Sequence, residues 1–165
     1  MNTRNKTTGR GTGVIALSFI IALMLTALPM PEWAILWRPA WVALVLIYWC
    51  MALPGRTGVL VGWSVGMLLD VMAGTLLGQH ALALAVIAFI AHKLHRRVRV
   101  LPVWQQGVTV FGLVFVFQAL VLWINGIKGM PVTINAYLAA PLISMLLWPW
   151  VFVVLRDTRR RFSVN

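Results

Sequence analysis

Acidic residues are the scarcest chemical class in this chain: three Asp and Glu stand against fourteen Lys and Arg in 165 residues. Charged residues together make up 10% of the sequence, where a soluble domain carries about 25%. The single cysteine, Cys50, lies inside an apolar run, which excludes an intrachain disulfide and a cysteine metal site. No glycine-rich phosphate loop, nucleotide motif or Ser–His arrangement in a sensible context is present. The length leaves room for one domain.

What the chain has instead is apolar sequence, 61% of it, gathered in long runs, together with nine tryptophans. Water is therefore not its main solvent, and the tryptophans fit interfacial anchors. A membrane crossing needs about 20 helical residues, with a range near 17–25. Six candidate spans follow: 14–28, 39–53, 57–73, 78–92, 102–124 and 132–155. The first resembles a signal peptide, because Arg4, Lys6 and Arg10 precede it. Pro29-Met30-Pro31 lacks a small-x-small cleavage pattern, so it reads as an uncleaved span. The second is short, reaching only about 22 Å at 1.5 Å per residue. Pro141 and Pro149 fall in the sixth, where Pro141 either kinks the helix or starts it.

The cations set an orientation. With the N-terminus inside and six crossings, twelve of the fourteen fall inside and two, Arg38 and Lys128, outside. Such a positive-inside bias puts both termini in the cytoplasm and requires an even number of spans. Four spans are the alternative, with the third and fourth only dipping into the bilayer. Topology and anionic lipid account for the net charge of +11, so nucleic acid is not an expected partner. The inner basic surface comprises Lys93, Arg96, Arg97 and Arg99, with Arg159, Arg160 and Arg161 in the tail.

The third span carries the most informative spacing. Gly58, Gly62, Gly66, Asp70, Gly74 and Gly78 recur at every fourth position, along one helix face. The first three form a groove that lets another helix approach closely. Packing inside the protein's own bundle is favoured over a groove for a partner. Gly74 and Gly78 belong to the turn before the fourth span. Asp70 is the sole acidic residue within an expected span, and an ionisable group in lipid is a functional candidate by default. Its structural alternative is to cap the turn amides around Gly74 and Gly78 or to pair with Arg38. Structure is favoured over chemistry, because catalysis wants a second titratable group nearby. The outer candidates, Glu32, His80 and Arg38, form no recognisable catalytic pair. His92 and His95 share a helix face, but without a third ligand and amid four cations they read as a basic loop, not a metal site. No cofactor is expected. Gln105, Gln106, Gln118 and Asn125 on the fifth span read as polar groups facing other helices.

Several motifs resemble one known family. Arg38-Pro39-x-Trp41, Tyr48-Trp49 and Ala52-Leu53-Pro54, the Gly66-x-x-x-Asp70-x-x-x-Gly74-x-x-x-Gly78 pattern, Trp104-Gln105-Gln106 and Leu147-Trp148-Pro149-Trp150 are similar to the bacterial rod-shape-determining MreD family, of proteobacterial type. The likeness covers nearly the whole chain. It implies an all-α six-helix membrane bundle in the inner membrane, similar in fold to the substrate-binding subunits of energy-coupling-factor (ECF) vitamin transporters. It also implies a non-enzymatic scaffold of the cell-elongation machinery, working with the single-span MreC, the actin-like MreB, the transpeptidase PBP2 and the glycosyltransferase RodA. No catalytic residues carry over, and Asp70 with its glycines carries over as a motif without an assigned role. A small-molecule or lipid-precursor binding or transport subunit, with an outward pocket near Asp70 and His80, is the competing expectation. An intramembrane enzyme comes third.

Overall fold

The computed structural model of the chain describes residues 4–31, 37–129 and 134–162. Among these are six helices and no strand: α1 Arg4–Ala27, α2 Trp41–Ala52, α3 Val59–Ala73, α4 Gln79–Val98, α5 Val103–Ile127 and α6 Ile134–Arg161. Glu32 and the start of the sixth expected span, at 132, lie outside the described residues.

The bundle is organised around α2. Every residue from Val42 to Met51 is buried, as expected of a helix that is apolar all round. Trp49, Leu44, Leu46 and Ile47 are fully enclosed, alongside Leu84 and Ile87 of α4, Val110 and Val114 of α5 and Trp148 of α6. Side-chain bonds fix α2 between its neighbours. Trp49 Nε1 donates to Ser18 Oγ of α1 at 2.8 Å, and the Ala40 amide donates to Ser144 Oγ of α6 at 3.2 Å. Tyr48 meets Phe152 of α6 edge to face, centroids 5.8 Å apart. The two α6 pairs make α2 parallel to α6, and Trp49–Ser18 together with the Arg38–Leu28 bond before α2 makes it antiparallel to α1.

Helix ends follow local chemistry. Pro54-Gly55 breaks the chain after α2, and the amides of Arg56 and Thr57 fold back on the Leu53 carbonyl, so α3 starts at Val59 rather than 57. Beyond its expected end at 92, α4 continues to Val98, with His95, Arg96 and Arg97 in its last turn, where positive charge complements the helix dipole. α6 runs unbroken through both prolines, so Pro141 lies inside the helix and does not begin it. The antiparallel α3–α4 pair and the parallel α2–α6 pair place Lys93, Arg96, Arg97 and Arg99 at the same end as Arg159, Arg160 and Arg161. The Asp70 turn is at the opposite end.

By length and composition two helical stretches can cross a membrane, Val103–Ile127 and Leu138–Arg161, each with only 33% of its most apolar window buried inside the protein. Gly11–Ala27, Trp41–Ala52 and Val59–Ala73 are apolar but shorter. The outside of the bundle is correspondingly apolar: Leu60 and Leu146 are 80% and 78% exposed, and Leu68, Val71, Phe89 and Phe115 join them. Exposed apolar surface of this extent marks contact with a membrane or with other proteins. The 12 residues of α2 rise about 18 Å, well short of the roughly 30 Å hydrocarbon core. Its first turn lies level with Ser144, about 15 Å along α6. The space beyond that turn is left to a cavity.

Candidate functional site

Asp70 sits near the end of α3 and is fully buried. The chain reverses just after it, with Gly74 at φ 62° and Gly78 at φ 101°, backbone conformations that favour glycine. The reversal returns the first residues of α4 to the carboxylate. Asp70 Oδ2 accepts from the Gly78 amide at 3.0 Å and the Ala81 amide at 3.2 Å. The His80 amide reaches Oδ1 at 3.0 Å and Oδ2 at 3.2 Å. Oδ1 also accepts from Thr75 Oγ1 at 2.8 Å and lies 2.8 Å from His80 Nδ1. A helix start offers unpaired amides and a partial positive charge, and here the ligand of that start is a side chain from the preceding helix.

Two of the glycines make this approach feasible. A Cβ on Gly66 would stand 2.3 Å from Ala81 Cα and 2.6 Å from Ala81 N. One on Gly62 would meet the Leu84 carbonyl at 2.9 Å and Ala88 Cβ at 3.1 Å. Thus Gly62 and Gly66 face this protein's own α4, which occupies that part of the stripe and leaves no room there for a partner helix. Gly58, Gly74 and Gly78 have open space around the α-carbon. Gly58 is the N-cap of α3, Gly74 the C-cap, and Gly78 the N-cap of α4.

Arg38 does not reach Asp70. Its Nη2 donates to the Leu28 carbonyl at the end of α1, 3.0 Å away, and its Nε is buried without a hydrogen-bond partner among the described residues. Arg38 and His80 instead share the wall of a cavity of about 530 Å³ beyond the first turn of α2. Thr26, Leu69, Met72, Phe117 and Gln118 also line it. On the far side of α4's first turn, Gln79 Nε2 donates to Asn125 Oδ1 at 3.0 Å, and Lys128 Nζ donates to Gln79 Oε1 at 3.4 Å. These bonds tie α4 to the end of α5.

Of the three titratable candidates that the sequence offers Asp70, the turn delivers His80, Arg38 stays on the Leu28 carbonyl, and Glu32 lies outside the described residues. The signal was present in the sequence: His80 lies ten positions on, across a reversal marked by two glycines. Chemically the pair is a carboxylate orienting an imidazole. Five donors already surround the carboxylate, and Thr26 Oγ1, a hydroxyl on the described wall, donates to the Ala22 carbonyl of its own helix at 2.8 Å. Among the described residues no group of three metal-ligating side chains forms. His92 and His95 lie at the other end of α4, His95 Nδ1 against the His92 carbonyl.

A second opening lies between α1 and α6. It is an apolar cleft of about 840 Å³, walled by Gly13, Leu17 and Ile21 of α1 and by Trp150, Val154 and Phe162 at the end of α6, with Trp41 and Val45 of α2 as its floor. Trp41 and Trp150 of the tryptophan motifs line it, but no spacing joins them, because its walls come from the two ends of the chain.

The sequence pattern of the family described as rod shape-determining protein MreD matches residues 8–158, nearly the whole chain. The chain belongs to the MreD family. Rod shape-determining protein MreD of Haemophilus influenzae is similar to it, 34% identical over 149 residues that cover 89% of this chain and 91% of that one. No solved structure matches significantly. MreD membership gives the chain a role in rod shape determination, in association with the rod-shape machinery, and places it in a membrane protein family. The Asp70 turn and the Arg38–His80 cavity lie within the matched span, as does the α1–α6 cleft apart from Arg161 and Phe162.

Proposed function

We propose that this protein is a non-enzymatic membrane scaffold of the rod-shape machinery and that the α1–α6 cleft docks the membrane helix of an MreC-like partner. In this reading all six helices belong to one inner-membrane domain. The basic ends of α4 and α6 face the cytoplasm and anionic lipid, and the Asp70 turn faces outward. The docked pair then helps to position the wall synthases PBP2 and RodA alongside MreB.

The cleft is the observation that supports this reading. Helices associate in lipid through close packing over small residues, not through a hydrophobic drive. The cleft supplies such a surface: Gly13 has open space around its α-carbon, and Ser18 and Ala22 lie among its lining residues. From Gly13 to Leu25 it follows α1 for about 18 Å, a length over which a helix about 10 Å wide can lie. Its rim side chains Leu17, Ile21 and Trp150 are exposed. Among the described residues α2 is bonded to both α1 and α6, and no other helix lines the cleft.

The test fills the cleft. Gly13→Leu places a branched side chain in open space within it, so the protein should fold while co-purification of the MreC partner falls by about ten-fold, the equivalent of 1.4 kcal/mol. Gly112→Leu, also in open space on α5 but away from the cleft, should leave co-purification unchanged. Retention of the partner by folded Gly13→Leu protein would remove the cleft from the account.

A further inference from the structure

We propose that the cavity beyond the first turn of α2 binds a phosphate group carried on an apolar body, with Arg38 and His80 as its principal contacts. This site is separate from the α1–α6 cleft and does not depend on helix docking there.

Among the described residues the sign of the charge in the cavity follows from what has already been neutralised. Asp70 is not on the wall. It is fully buried behind His80, and both its oxygens are engaged by the turn and the first amides of α4. The positive start of α4 is thereby matched from within the protein. Arg38 is different. A guanidinium presents five donors in a planar fork, and among the described residues it meets only a neutral carbonyl, through Nη2. Nε is sealed from solvent, so an anion in the cavity reaches the group through its terminal nitrogens, where a phosphate oxygen is a charge-matched acceptor.

His80 adds a second donor or acceptor. With Nδ1 held 2.8 Å from Asp70, Nε2 is the nitrogen left for the cavity, and its ring is fixed in direction as in other carboxylate-oriented imidazoles. Gln118 is a further polar group on the wall, while Leu69, Met72 and Phe117 supply apolar surface. A convergent polar cluster in an otherwise apolar concavity is the ordinary make-up of a small-ligand site, and 530 Å³ falls within the usual range of about 300–1,000 Å³. The same volume is too small for a transmembrane helix, whose diameter with side chains is about 10–12 Å.

Phosphate on an apolar body has two sources, a lipid headgroup or a soluble phosphate ester, and the test separates them. The purified full-length protein in detergent is treated with diethylpyrocarbonate, and carbethoxylation of each histidine is followed by peptide mass spectrometry. The probes are dihexanoyl phosphatidic acid, the neutral dihexanoylglycerol and inorganic phosphate. Phosphatidic acid is expected to slow modification of His80 by about ten-fold, the factor set by one charge-assisted hydrogen bond. His92 and His95, at the far end of α4, should be unaffected. Protection by inorganic phosphate at equal concentration assigns the site to soluble phosphates, and protection by phosphatidic acid alone assigns it to a lipid. Either supports the proposal. Arg38→Gln, if folded by circular dichroism, should need about ten-fold more phosphatidic acid for the same protection. Should that variant not fold, the comparison of the three probes on the native chain still decides. Three results overturn the proposal: no protection by either phosphate, equal protection by the neutral lipid, or protection only when a protein partner is bound.

Discussion

Gly66→Ala tests the α3–α4 interface at its tightest point. The added methyl carbon would lie 2.3 Å from Ala81 Cα and 2.6 Å from Ala81 N, where favourable carbon contacts lie at about 3.5–4.0 Å. The obstacle is backbone, so no rotamer change relieves it, and α3 and α4 must separate by more than an ångström. Overpacking of this kind costs about 1–3 kcal/mol. The same displacement draws the His80 and Ala81 amides away from Asp70, which they reach at 3.0 and 3.2 Å. Hydrogen bonds to a charged group contribute about 1.5–3 kcal/mol each. Against this stands the helix-propensity gain of Ala over Gly, about 1 kcal/mol. The net expectation is destabilisation of about 3 kcal/mol or more. Unfolding in mixed micelles of mild detergent and dodecyl sulfate, followed by far-UV circular dichroism, reads the shift. Gly112→Ala, with open space around its α-carbon, is the control and should be neutral or slightly stabilising. If Gly66→Ala unfolds with the wild type, the close α3–α4 approach is not what holds the turn, and the reasoning fails.

Three further outcomes follow from the same contacts. Asp70→Asn replaces one acceptor oxygen with an N–H₂ group facing backbone amides, so stability in the same titration should fall by about 2–4 kcal/mol. Cells depending on this variant should round up under the microscope; unchanged stability and rod shape would deny Asp70 its capping role. Ser18→Ala leaves the buried Trp49 Nε1 without its acceptor and should cost about 1–3 kcal/mol, with a shift in tryptophan emission as the reporter; no change in either would mean the α1–α2 bond is dispensable. Ser144→Ala removes the acceptor for the Ala40 amide and should cost about 1 kcal/mol; hydrogen exchange at Ala40 should accelerate, and unaltered exchange would contradict the bond.

Much of the bundle could be read in advance because its signals are local. Apolar runs bounded by Pro54-Gly55 or by the Gly74 and Gly78 turn locate the helices to within a few residues. Amphipathic ends are harder. The last turns of α4, rich in His and Arg, belong to a helix stabilised by its dipole but look like a loop when hydropathy alone is followed. α2 was expected at 39–53 as a short span; what hydropathy could not reveal is that it lies at the centre and stops level with Ser144. That depends on which helices surround it, and Ser144 is more than a hundred residues away. The Asp70 site was half legible. The fourfold glycine spacing pointed to Asp70, yet the proximity of His80 needed the two left-handed glycines to close the turn. The Arg38–His80 cavity and the α1–α6 cleft are assembled from distant elements and carry no spacing of their own.

The proposed docking lays a partner's membrane helix between α1 and α6. Photocrosslinking in living cells tests it most directly, with benzoylphenylalanine placed singly at Leu17, Ile21 or Val154 on the cleft rim and at Leu60 or Phe89 on the opposite surface. All five side chains are exposed. Docking in the cleft should give MreC crosslinks from the cleft positions and none from Leu60 or Phe89. Crosslinks from the far surface with none from the cleft would contradict it.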